Sequence, residues 1–293
     1  MASQIRFCVL IPSRQRAPVL TKTLRKMPWL NTPDTYIGVE QQEMPLYLPM
    51  LKGIAPKVNI VTYENKYGSV AVAREQLRQH TIDKHYTHYV VTDDNAIHAS
   101  EQALYNLVRC AAEWSIQPVI MAGMHNTAVH FDRNKIQQRV VINGLASYPT
   151  VAMMFQVYAH SLYKAYEYPD NAFGLDDRHL ALWAIQQGVR QFRVCMDAPF
   201  TKSRYAKKDG IVQGGQGTIE ERMEKCGWAI GCLARDFPRY VGAMGTLRIP
   251  WSFLLDMESG HTADRLVGGA MRSSDAIVRR RVQVRVRKTS DKG

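Results

Sequence analysis

The chain has 293 residues, 46% of them hydrophobic, enough for the core of one large α/β domain, alone or with an appended lobe. Its 38 basic and 26 acidic residues give a formal net charge of +12, which favours a polyanionic partner such as nucleic acid and says nothing about fold. No apolar run is long enough to span a bilayer, Met1 to Arg6 has no signal-peptide pattern, and the five cysteines (Cys8, Cys110, Cys195, Cys226, Cys232) are odd in number with no zinc-site spacing. These features argue against a membrane protein and a disulfide scaffold. The expectation is a soluble cytosolic protein, with Cys8 and Cys195 as reduced residues in apolar strands.

Ile5 to Ile11 reads as a buried first strand, broken by Pro12-Ser13-Arg14-Gln15-Arg16-Ala17-Pro18 and followed by a helix over Val19 to Met27. Thr35 to Val39 is a second strand, Tyr47 to Gly53 a short helix and Val58 to Tyr63 a third strand. Gly68 and Ser69 open a helix with Val70, Ala73 and Leu77 at i, i+3, i+7 spacing. Tyr89 to Thr92 is the fourth strand, Ser100 caps a helix through Glu113, and Val119 to Ala122 is the fifth strand. Short apolar strands alternating with helices predict an α/β fold: a doubly wound, mainly parallel sheet with helices on both faces. No Gly-x-Gly-x-x-Gly or Walker-type loop follows a strand, which argues against those two nucleotide-binding classes.

The second half is less regular. Val140 to Asn143, Val151 to Val157 and Phe192 to Met196 read as strands, Ser161 to Tyr166 and Asp176 to Gln187 as helices, and Asp209 to Gly217 as a Gly-rich loop. Glu220 to Phe237 reads as an interrupted helix and Ile277 to Val286 as an edge strand.

The fourth strand stops on Asp93-Asp94-Asn95. Carboxylates at the carboxyl end of such a strand sit at the sheet rim where α/β proteins bind ligands, and adjacent hard oxygens suit Mg²⁺ or Mn²⁺. A plain turn also uses Asp and Asn. Arg14 and Arg16 leave the first strand at the same edge, where guanidiniums can pair with a diphosphate; otherwise they form a solvated basic loop. Arg74 reaches a nucleotide or Asp93, or forms a structural ion pair. Asp176 and Asp177 open a helix, as caps or as a general base. Lys202 and Ser203, with Arg204, Lys207 and Lys208, precede Gly214-Gly215-Gln216-Gly217, a closing loop or a plain basic one. The Arg133-Asn134-Lys135 turn and a basic tail with Arg279, Arg280 and Arg281 suit phosphate contacts along DNA.

This order of motifs resembles the GT-A class of nucleotide-sugar glycosyltransferases. More narrowly, the Arg-rich first loop, Thr92-Asp93-Asp94-Asn95 and Phe200-Thr201-Lys202-Ser203 followed by Gly214-Gly215 look like the phage glycosyltransferases associated with TET/JBP-type base hydroxylases. The resemblance implies a GT-A-like catalytic domain over residues 1–218, with a helical extension and basic tail over 219–293 packed on it. It implies a UDP-sugar donor held by Arg14, Arg16, Arg74, Asp93, Lys202 and Ser203. Mn²⁺ or Mg²⁺ would sit on Asp94, with Asn95 directly or through water and His261 (or His125) as further ligands. Asn95 stands where the family's Asp-x-Asp motif has an acid. Asp177 would be the base of an inverting enzyme, with Asp176 beside it. The implied acceptor is 5-hydroxymethylcytosine in double-stranded phage DNA, flipped from the duplex, inside an infected bacterial cytoplasm. Two rival readings remain: a glycosyltransferase with a non-DNA acceptor, and a nucleic-acid binding module without catalysis.

Overall fold

The computed structural model describes residues 5–65, 68–98, 101–113, 119–124, 145–147, 155–172, 176–195, 200–202, 228–229 and 231–238. Strands β1 (Phe7–Ser13), β2 (Thr35–Glu40), β3 (Asn59–Tyr63), β4 (His88–Val91), β6 (Val119–Met124), β7 (Leu145–Ser147), β8 (Gln156–Ala159) and β9 (Arg190–Cys195) form one sheet in the order β3-β2-β1-β4-β8-β6-β9-β7. The β3-β2-β1-β4 block is parallel throughout, and β6 is parallel to β9. β8 lies between β4 and β6, antiparallel to both, and β7 is antiparallel to β9. The helices are α1 (Ala17–Lys26), α2 (Met44–Ile54), α3 (Val70–Thr81), α4 (Glu101–Glu113), α5 (His160–Ala165) and α6 (Asp176–Gln186). None of the described helices is long and apolar enough to cross a membrane.

β1 shows why both faces are covered. Side chains alternate across a strand, so Val9 and Ile11 enter one core layer and Cys8 and Leu10 the other, all four buried. The first layer takes Leu20 and Leu24 of α1, Leu51 of α2 and Leu104 and Val108 of α4. The second takes Leu77 of α3, Tyr163 of α5 and Leu180 and Ala184 of α6. A strand buried on two faces is apolar along its length, the pattern of Phe7 to Ile11. Pro12 is tolerated at the end of this central strand. The carbonyl of Leu10 accepts from Thr92 N–H, so the amide position two residues on faces the side where β4 has already ended.

α1 starts with a proline in its first turn and ends on Arg25 and Lys26, both favourable for a helix. α3 is capped by Ser69, whose hydroxyl accepts from Ala71 N–H at 3.2 Å, after Gly68 at φ 65°. Tyr158, Tyr163, Tyr166 and Tyr168 are packing residues, all buried.

Three features depart from the sequence reading. The predicted strand Val151–Val157 lies instead at Gln156–Ala159, and it runs against its neighbours. The sheet is therefore mixed beyond β4. A second, two-stranded sheet pairs β5 (Ala96–His98) with β10 (Phe200–Lys202), and neither strand was predicted, since three residues show no periodicity. β7 was missed for the same reason. The predicted strands at 140–143 and 277–286 and the loop at 209–217 lie outside the described residues.

Candidate active site at the carboxyl edge of the sheet

The parallel strands β1, β2 and β4 end together, and their following residues build one polar cluster. After Ser13 the chain turns through Gln15, whose φ of 53° is unusual for a side-chain-bearing residue. The turn aims the Gln15 amide at Glu43, donating to both carboxylate oxygens at 3.0 and 2.9 Å. Burial pushes the Glu43 carboxyl up, against the pull of that amide. Arg14 pairs with Glu40 at the end of β2, Nε to Oε2 at 2.6 Å, and Gln42 donates to the other oxygen of Glu40.

β4 ends in a tight turn closed by Ala96 N–H donating to the Asp93 carbonyl at 3.1 Å. Asp94 is buried in this turn. Its Oδ1 meets Arg16 at 3.0 Å and its Oδ2 accepts from the Ser13 hydroxyl at 2.9 Å. Ser13 spends its one proton on Asp94, so the Tyr47 hydroxyl, 2.9 Å away, donates to Ser13 and accepts from the Arg16 amide at 3.0 Å. Burial raises the Tyr47 phenol, against the Ser13 and Arg16 hydrogen bonds.

Arg74, on the buried face of α3, links two acids that are far apart in the sequence, Asp93 and Asp176. One guanidinium nitrogen pairs with Asp176 at the start of α6, and the other lies 3.1 Å from Asp93. Burial disfavours its charge, but Asp176 and then Asp93 outweigh this and lift its pKa above the ordinary value. Arg74 thus reaches Asp93, as the sequence offered, and is ion-paired with Asp176 as well. Its side chain and that of Asp176 are 3% and 2% exposed, whereas Asp93 is 23% exposed and Asp94 only 4%. Asp93 is therefore the carboxylate of this turn most open to a ligand.

The antiparallel register of β5 and β10 sets Lys202 opposite Ala96, the residue after Asn95. The backbone of the predicted Lys202 loop thus joins the acidic turn. Asp177 lies in the first turn of α6, next to Asp176. At this edge Arg14 pairs with Glu40, Arg16 with Asp94, and Arg74 with both Asp93 and Asp176, while Asn95 follows Asp94 in the same turn. Ser203, Arg204, Lys207, Lys208, Arg133, Lys135, His125, His261, Arg279, Arg280 and Arg281 lie outside the described residues.

Sequence reasoning missed Ser13, Glu40, Glu43 and Tyr47. Ser13 and Glu40 carried a usable signal, as polar residues closing apolar strands. Tyr47 carried none, because only the fold brings it to Ser13.

Two properties of the cluster bear on chemistry. Among the described side chains, three arginines (14, 16, 74) meet five acids (Glu40, Glu43, Asp93, Asp94, Asp176), which leaves two negative charges in excess. Three buried polar atoms, Arg16 Nε, Thr92 Oγ1 and Asn95 Oδ1, also lack a hydrogen-bond partner among the described residues. Buried polar groups are normally satisfied, so these atoms call for water or a ligand. An acidic cluster with an unpartnered carboxamide oxygen fits a hard divalent cation such as Mg²⁺ or Mn²⁺.

No protein-family model and no curated protein matches the sequence. Solved structures resemble the fold. Residues 1–349 of S. aureus TarS align over 80% of this chain and 72% of that one, at 11% identity and a TM-score of 0.47. The chain spans 41% of the longer TarS structure. Glucosyl-3-phosphoglycerate synthase from Mycobacterium tuberculosis, in complex with Mn²⁺, UDP-glucose and phosphoglyceric acid, aligns over 77% and 81% at 7% identity and a TM-score of 0.44. The inositol-1-phosphate CTP transferase from T. maritima aligns over 69% and 91% at 10% identity and a TM-score of 0.43. These are partial likenesses of architecture, and the functional reading rests on the residues of the site.

Proposed function

We propose that this chain is a glycosyltransferase that moves a sugar from a nucleoside-diphosphate donor, UDP-linked, to a hydroxyl acceptor with the help of Mg²⁺ or Mn²⁺. The observation that carries the reading is the cluster at the ends of β1, β2 and β4, two charges negative, with Asp93 part-exposed beside the unpartnered Asn95 oxygen. Such a cluster repels a bare diphosphate and accepts one that arrives with a divalent cation. Asp93 and Asn95 would hold the cation in place of the Asp94 that the resemblance implied, because Asp94 is closed in by Arg16 and Ser13 while Asp93 is part-exposed. When bound, the ion would neutralise the diphosphate and stabilise it as the leaving group.

The chain's own residues fill the remaining roles. Arg14 and Arg16 flank the diphosphate from the β1 loop, and the strand carrying Lys202 borders the same turn. Buried Arg74 orients Asp93. Asp176 is committed to Arg74, so Asp177, one residue on in the first turn of α6, is the base that takes the acceptor hydroxyl proton. For the acceptor, the net charge of +12 and the resemblance to phage base glycosyltransferases favour 5-hydroxymethylcytosine in double-stranded DNA, flipped out of the stack. That acceptor sets the protein in the cytoplasm of an infected bacterium.

The test is UDP release from a panel of UDP-sugars with Mn²⁺ and duplexes that contain or lack 5-hydroxymethylcytosine. Release only with the modified duplex, abolished in Asp177→Asn, is the expected result. Release with a glycan or small molecule alone would move the acceptor off DNA. Pyrophosphate release from a nucleoside triphosphate and a sugar phosphate would replace sugar transfer by nucleotidyl transfer. No turnover with any donor, alongside salt-dependent DNA binding, would leave a binding module.

A further inference from the structure

A second cluster of metal-ligating groups joins α6 to the segment 231–236. His179 Nε2, Cys232 Sγ and one Asp236 oxygen all lie within 4.8 Å of one another. They come from two segments more than fifty residues apart, which is why cysteine spacing alone gave no zinc pattern. Cys232 and Asp236 stand four residues apart in the helical segment 231–236, so they share a face. His179 comes from the first turn of α6 and is 8% exposed, and Cys232 is 2% exposed.

The hydrogen bonding of this cluster is overcrowded. Asp236 Oδ2 is approached by His179 Nε2 at 3.2 Å, by Cys232 Sγ at 3.3 Å and by the Arg235 guanidinium at 3.0 Å. One carboxylate oxygen has two lone pairs, so three donors cannot all be well directed. A single cation replacing the imidazole and thiol protons removes the conflict, because Arg235 keeps Oδ1 at 2.6 Å. Two of the three spacings also suit one ion, and the third, His179 to Cys232, is within 4.8 Å. Tetrahedral Zn²⁺, with bonds of about 2.0–2.3 Å to nitrogen, oxygen and sulfur, sets neighbouring ligand atoms about 3.3–3.7 Å apart. The His179–Asp236 and Cys232–Asp236 separations lie within a few tenths of an ångström of that range. His179 has an outer partner as well: its Nδ1 lies 3.1 Å from the buried Tyr166 hydroxyl, and its ring packs edge-on to Phe237.

We propose that His179, Cys232 and Asp236 bind Zn²⁺ as a clasp between α6 and the segment 231–236. Thiolate and imidazole ligands select zinc over the hard cations suited to Asp93 and Asn95. On binding, the Cys232 proton leaves to solvent as the zinc–sulfur bond forms. The imidazole proton moves from Nε2 to Nδ1, where the Tyr166 oxygen accepts it, and Nε2 takes the metal. His179 lies one turn beyond Asp176, so the clasp steadies the helix start that carries Asp176 and Asp177. It is a positioning device, independent of the donor cation.

The test uses the full chain, stripped with a chelator and titrated with Co²⁺ and then Zn²⁺. About one equivalent should bind with thiolate-to-cobalt charge-transfer absorption, lost when Zn²⁺ displaces the cobalt. In Asp93→Asn, which lacks the proposed donor-cation ligand, Zn²⁺ should raise the melting temperature where Mg²⁺ does not. Cys232→Ser should abolish the charge-transfer band and weaken Zn²⁺ binding about 100-fold or more. Asp93→Asn should leave the band unchanged, which separates this site from the donor site. Should Cys232→Ser fail to fold, protection of Cys232 from alkylation by Zn²⁺ in the unaltered chain reads the same contact. Cobalt binding without the band, an undiminished band in Cys232→Ser, or alkylation of Cys232 unaffected by Zn²⁺ would overturn the proposal.

Discussion

Arg74→Met tests whether one buried guanidinium joins the strand end to α6. The substitution keeps the length of the side chain and removes its charge. It strands Asp176, 2% exposed, with no cation against the oxygen that Arg74 now meets. Breaking a buried pair by deleting one partner costs about 3–5 kcal/mol, because the remaining charge is left desolvated. Asp93, at 23% exposure, can turn to water, so most of the loss comes from Asp176. Asp176→Leu in the same chain removes the stranded charge, and the double variant should regain most of the stability. Asp93→Asn alone should cost about 1 kcal/mol or less, because Asp93 is part-exposed and Asp176 still holds the Arg74 charge. Urea unfolding monitored by tryptophan fluorescence measures all four proteins. A loss below about 1 kcal/mol in Arg74→Met, or a double variant no better than the single, would refute the buried bridge.

Three further predictions follow from single contacts. Tyr47→Phe removes the hydroxyl that accepts from the Arg16 amide and donates to Ser13; it should cost about 1–2 kcal/mol in urea and weaken donor binding. Gly38→Ala puts a methyl group 3.2 Å from two carbons of the buried Leu77 side chain, and should lower stability by about 1 kcal/mol. Burial holds the His88 imidazole below its ordinary 6.5, so the unfolded chain binds that proton more readily than the folded one. Its contribution is complete above pH 6.5 and is lost as pH falls from there. His88→Gln should flatten that part of the acid limb in denaturation at stepped pH.

The parallel half of the sheet was legible in the sequence because its strands are buried on both faces and flanked by helices of 3.6-residue period. Phe7–Ser13, Thr35–Glu40, Asn59–Tyr63 and His88–Val91 lie within two residues of the stretches that periodicity marked at their starts and ends. The antiparallel insertion of β8 was not legible, since nothing local in Gln156–Ala159 records which neighbours it will find or its direction. Three-residue strands such as β5 and β10 draw their order from the pairing itself. In the site, Asp93, Asp94 and the arginines could be named from strand ends, but their partners could not. That Asp94 is closed in by Ser13 and Arg16 while Asp93 stays part-open depends on contacts across eighty residues of chain. The zinc clasp is the extreme case, with ligands from two distant segments and no spacing motif.

The central claim is a donor site in which Asp93 holds a cation for a nucleoside diphosphate. Calorimetric titration of UDP, with and without Mn²⁺, into the unaltered chain and into Asp93→Asn tests it most directly. The account predicts binding that requires Mn²⁺ and is lost in Asp93→Asn while the variant remains folded. UDP binding that is equal in both proteins and indifferent to the metal would contradict it.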